Sequence, residues 1–132
     1  MQTLPRRHRL SSLRQTLVRL KDQPGKLLPI FLEGYPMVRG TVYPLRRRCG
    51  KPNCRCAKGK LHETTVLSAS ISGRSRLWAV PTAQVEKMRK LTKRYQRFRA
   101  ARADFVKLYT KMLRAIDAIE KVRRKDPAFR GS

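Results

Sequence analysis

Between Pro81 and Pro127 the chain carries neither glycine nor proline. A run of about 43 residues with no breaker, if wholly helical, makes a rod of roughly 64 Å. Thr82 stands before Ala83, Gln84, Val85 and Glu86 as an N-cap candidate. Met88, Leu91, Tyr95, Phe98, Phe105, Tyr109, Met112, Ile116 and Ile119 recur in a 3–4 pattern that only Arg102 interrupts. That is a heptad stripe. A chain of 132 residues has little else with which to cover it. The helix must either fold back near residues 99–103 onto the N-terminal helix or pair with another chain. Self-association is the favoured expectation, through Leu91, Tyr95, Phe98, Phe105, Tyr109, Met112 and Ile116, giving a homodimer.

The segment ahead of this helix divides in three. Leucines at 10, 13, 17 and 20 mark one helical face, with Ser11 or Ser12 as cap and Pro24-Gly25 as stop. A second short helix is expected before Gly34, with Pro29 in its first turn. The region 38–43 alternates and is β-branched, 64–71 is a second strand, Ser72-Gly73-Arg74-Ser75 is a turn, and 76–80 is a partner strand. The reading is an α+β fold. It has an N-terminal helical segment (1–36), a small antiparallel β domain (37–81), a long basic coiled-coil-like helix (82–125) and a frayed tail (126–132).

A cysteine cluster interrupts the β region. Cys49, Cys54 and Cys56 are the three cysteines of the chain, and His62 is one of its two histidines. Their spacing is C-x4-C-x-C-x5-H. Gly50, Pro52 and Gly59 allow the reversals that bring four donors together. Tetrahedral zinc (Zn2+) takes such a set, and with four protein ligands the site is structural. An odd number of cysteines in a tight group is poor disulfide arithmetic. The surrounding cations favour the thiolate ligands. The alternatives are a different fourth ligand, from this chain or a mate, and three free thiols without metal. Cys54-Arg55-Cys56 is closer than the usual C-x2-C.

The run from Arg46 to Gly59, then a histidine, a two-stranded stretch and a long basic helix, resembles a family of small bacterial and archaeal proteins of unknown function. They carry an RRRCGKPNCRCA-type motif and are often encoded beside transposases. The resemblance covers roughly residues 38–125. It departs after His62, where Glu63-Thr64-Thr65-Val66-Leu67 replaces a Gly-Pro and aromatic run. It implies an accessory role in mobile-element biology, with a transposase or other nucleoprotein as partner.

Charge supplies the functional expectation. Lys and Arg number 33 against 8 Asp and Glu, a net charge of +25. Such a body seeks a polyanion, and nucleic acid, DNA or RNA, is the simplest one. The expected phosphate contacts are Arg46, Arg47, Arg48, Lys51, Arg55 and Lys58 in the motif, Arg74 and Arg76 on the hairpin, and Lys90, Arg94 and Arg97 on the helix. The motif, with Arg39 leading in, and the hairpin arginines are expected to form one cluster and the helix cations a second. Trp78 and Tyr43 lie near the basic hairpin, where a base can stack, although core packing is the expected role of Trp78.

Catalysis is not expected. Asp22, Glu33, Glu63, Glu86, Asp104, Asp117, Glu120 and Asp126 are scattered, whereas a metal-dependent nuclease needs two or three acids to converge. No nucleophile elbow, P-loop or dinucleotide loop is present. A small nuclease is the weakest alternative. A structural or assembly protein that dimerises through its helix on ribosomal or phage nucleic acid is the stronger one. The chain has no secretory signal and no transmembrane run, so a cytoplasmic protein away from the membrane is expected.

Overall fold

The computed structural model describes residues 6–48, 50, 52–53, 59 and 62–127. Their order is α1 (Arg6–Leu20), α2 (Gln23–Leu32), β1 (Thr41–Arg47), β2 (His62–Ile71), β3 (Arg74–Ala79) and α3 (Val85–Arg123), with a 3-10 turn at Thr82–Gln84. The fold is α+β. No described helix is long and apolar enough to cross a membrane.

The chain divides into two compact units, Met1–Glu33 with Ala100–Ser132, and Gly34–Arg99. The boundary falls within α3, which runs unbroken through residues 99–103. The expected fold-back near residues 99–103 is therefore not found.

In the first unit, α1 ends where the Lys21 N–H reaches Leu17 O at 2.9 Å. Pro24 and Gly25, expected to stop a helix, instead lie in the first turn of α2. A missing N–H costs nothing there, because the first amides of a helix have no partner inside it. Pro29 is interior to α2 rather than in its first turn. It withholds the N–H that Gly25 O would accept. α2 ends at Glu33, where ψ opens to 137°. Phe31 meets the edge of Phe105 at 5.8 Å, and Phe105 tilts onto Tyr109 at 4.7 Å. Leu20, Ala101 and Ala115 are buried. Alanine at these two α3 positions leaves room for a neighbour to approach.

In the second unit, β1, β2 and β3 form an antiparallel sheet in that order. Thr41 pairs with Ser68 and Arg47 with His62, while Leu67 pairs with Trp78 and Ile71 with Arg74. The β2–β3 connection is Ser72 (φ 53°) and Gly73 (φ 78°). Two positive φ values make it the type I′ turn whose twist matches a tight hairpin. The core consists of Val66, Ala69, Leu91 and Thr92, whose Oγ1 donates to Arg89 O at 3.1 Å.

β1 begins at Thr41, three residues later than its alternation predicts, and extends into the basic run. The physical reason lies in the segment before it. The Val38 N–H donates to Leu91 O of α3 at 3.0 Å and is lost to the sheet. Gly40 then turns the chain at φ 139°. A Cβ there meets Ser68 O at 2.6 Å and Leu67 Cδ1 at 2.9 Å. Only glycine meets both the backbone angle and the close approach. Gly40→Ala is expected to destabilise the chain by about 2–3 kcal/mol through strain and overpacking. Urea unfolding checks this, and an unchanged midpoint would contradict the reading of Gly40.

Candidate nucleic-acid interface

Strand alternation sorts the basic residues of the sheet. Arg74, Arg76 and Trp78 occupy alternate positions of the edge strand β3 and share one face, opposite Ile71, Ala69 and Leu67. Arg46 lies on the same face, opposite Glu63, and Arg47 lies on the other, opposite His62. Arg46 Nε pairs with Glu63 Oε2 at 3.5 Å, with both side chains more than half exposed. An ion pair that exposed contributes little to stability. Arg47, Arg48, Arg74 and Arg76 are all exposed.

The expected single cluster of motif and hairpin arginines is thus divided. Along β2, the partner of Arg46 is residue 63 and the partner of Arg76 is residue 69. At the strand rise this is about 20 Å. One basic group lies where β1 and β2 enter their connection. The other surrounds Trp78, with Arg39 lining the groove beside it.

The α3 cations divide as well. Lys90, Lys93 and Arg97 fall at i, i+3 and i+7 on an exposed side, and Lys87 and Arg89 join Lys90 and Lys93 along a shallow groove. Arg94 differs. Its Nη1 donates to Pro36 O at 3.2 Å and its guanidinium stacks on Tyr35 at 4.9 Å. Together with the Val38–Leu91 bond, it fastens the entry to the sheet against α3. Arg94 therefore contributes to the fold. Tyr35 carried no sequence signal for this, since its partner is remote in sequence.

Of the candidate zinc ligands, His62 opens β2 and is exposed. Cys49, Cys54 and Cys56, and the phosphate candidates Lys51, Arg55 and Lys58, lie outside the described residues. Among the described residues, no three His, Cys, Asp or Glu side chains group as metal donors.

The expected dimer seam divides too. Leu91 is buried within its own unit, and Phe105 is engaged by Phe31. Tyr95, Phe98 and Met112 are half-buried, while Tyr109 and Ile116 are exposed. The exposed stripe of this part of α3 is Val106, Tyr109, Leu113 and Ile116. Val106 and Leu113 lie one position on from the expected Phe105 and Met112. The apolar arc is wide enough for two stripes, and periodicity alone does not say which one faces inward.

A family model described as a domain of unknown function, DUF6788, matches residues 2–90. The chain belongs to this family. The family domain thus takes in α1 and α2, which the sequence resemblance left out, and the match stops near the start of α3. No curated protein and no solved structure matches the chain.

Proposed function

We propose that this chain is a zinc-stabilised, non-catalytic nucleic-acid-binding accessory protein, linked to a mobile element or a ribonucleoprotein. One observation carries the reading. Arg47, Arg74 and Arg76 on the sheet, Arg48 just beyond it, and Lys90 and Lys93 on α3 face solvent, in a chain with only 8 acids for 33 cations. One-to-one pairing leaves 25 cations over, by 33 − 8. A phosphate backbone supplies what the chain lacks, and each neutralised phosphate releases counterions. Both DNA and RNA meet this requirement. The link to a transposase rests on the resemblance of the cysteine motif.

Zinc enters through the same region. Cys49, Cys54, Cys56 and His62 all lie in, or at the end of, the single connection between β1 and β2. The Arg47–His62 pair draws the two ends of that connection together. A closed metal site there holds the connection in one shape and the arginines Arg46, Arg47 and Arg48 at its base. It also adds folding free energy, about 10–16 kcal/mol in zinc-finger peptides.

A second reading is an assembly protein that dimerises through α3 while it packs nucleic acid. The exposed stripe Val106, Tyr109, Leu113 and Ile116, each 45% or more exposed, favours it. Their 3-4-3 spacing is that of a coiled-coil seam.

Binding to a nucleic-acid duplex or single strand is expected to weaken roughly 10³–10⁵-fold between about 50 and 200 mM salt. Arg47→Glu is expected to weaken binding and reduce the salt slope by about one. An unchanged slope in a folded variant removes Arg47 from the contact surface. Cys54→Ala is expected to lose bound zinc by metal analysis, together with amide-exchange protection in β1 and β2. Full zinc occupancy in that variant rejects the ligand set. Leu113→Glu is expected to turn a dimer into a monomer in sedimentation with helix content unchanged. A variant that still sediments as a dimer contradicts the seam.

A further inference from the structure

Trp78 is the only tryptophan of the chain, and it is 40% exposed. Tryptophan is highly buried on average, so a ring left this open in a protein with a thin core calls for an explanation. Trp78 lies on the edge strand β3, at one side of a groove of about 500 Å³. Val38, Leu67, Ala69, Ile71, Pro81 and Met88 line the groove with it. A volume of this order accommodates a small planar ligand.

The polar groups at the groove are as informative as the walls. Its lining includes Arg39 and Gln84 and no carboxylate. Arg76 and Arg74 follow along the same face of β3, opposite the lining residues Ala69 and Ile71. The groove thus combines a flat π-surface, an apolar floor, one amide able to donate and accept, and one guanidinium group in its lining, with two more arginines further along the same strand face.

We propose that this groove takes an unpaired nucleobase of a single-stranded nucleic acid. Trp78 provides the stacking plane, Gln84 meets the base edge, and Arg39, Arg74 and Arg76 hold the adjoining phosphates. The inference rests on the nucleic-acid reading above and specifies it. Base-on-aromatic stacking beside a basic track is the general solution for binding single strands, and it tolerates any base because every base has a π-face. A base within a duplex has both faces covered by its neighbours and must leave the stack to enter such a groove. An acyl chain also fits an apolar groove, but it needs neither a flat ring nor an amide.

Because Trp78 is the sole tryptophan, its fluorescence reports on this groove alone. The test titrates the full-length protein with single strands of about ten nucleotides, a length within the usual site sizes. The probes are a DNA strand, an RNA strand, an abasic strand of equal length, and the DNA duplex. Vesicles of anionic phospholipid form a further arm. Binding is followed in parallel by the anisotropy of a labelled strand across a salt series.

The DNA strand, the RNA strand or both are expected to quench Trp78, and the lower dissociation constant in the anisotropy titration identifies the preferred sugar. The abasic strand and the duplex are expected to bind with strong salt dependence and leave the emission unchanged. Trp78→Ala is expected to weaken single-strand binding about 5- to 100-fold without changing abasic binding, and Trp78→Phe to restore most of it. Circular dichroism checks that both variants fold, and quenching in the unaltered protein stands independently of them. Equal quenching by the abasic strand, or a blue shift with vesicles and none with single strands, overturns the groove assignment and leaves salt-dependent binding intact. No binding of any strand at low salt overturns the nucleic-acid reading itself.

Discussion

The charge excess is the constraint on which the rest of this structure depends. Two like charges 10 Å apart in water repel by about 0.4 kcal/mol, and salt at physiological strength screens them within about 8 Å. Each such term is small, but 25 surplus cations on a chain of 132 residues generate many of them. Opposing them is a modest core. Among the described residues, no buried side chain is larger than leucine. A polyanion bound to the folded chain offsets the repulsion and stabilises the fold by mass action.

The structure sorts its cations by role. Arg94 reaches Tyr35 and Pro36 and fastens the entry to the sheet. Arg46 meets Glu63. Arg47, Arg48, Arg74, Arg76, Lys90 and Lys93 remain turned to solvent. The two basic groups of the sheet sit at opposite ends of β2. One lies beside the connection that carries the cysteines, and the other lies beside the one tryptophan.

Much of the fold was legible because local pattern and global packing agree. The leucine spacing of α1, the breaker-free run of α3 and the Ser72–Gly73 turn each predict the element found. The errors arose where a distant partner decided the outcome. Val38 reads as strand, but its N–H is taken by Leu91 O, 53 residues further on by 91 − 38. Pro24 reads as a stop but serves as a helix start, where its missing N–H costs nothing. Trp78 reads as core but lies at the groove margin, because β3 is an edge strand. On α3 the spacing revealed an apolar arc, yet only Phe31 packing on Phe105 decides which half is covered. Sequence also gathered the motif and hairpin arginines into one cluster, since loop proximity is visible in a sequence and strand register is not.

The most direct test of the central claim is to purify the chain from its own host at low salt and identify the nucleic acid that accompanies it. The account predicts a bound nucleic acid that is removed by RNase or DNase and released by raised salt. A chain that arrives free of nucleic acid, folded and soluble at low salt, would contradict it.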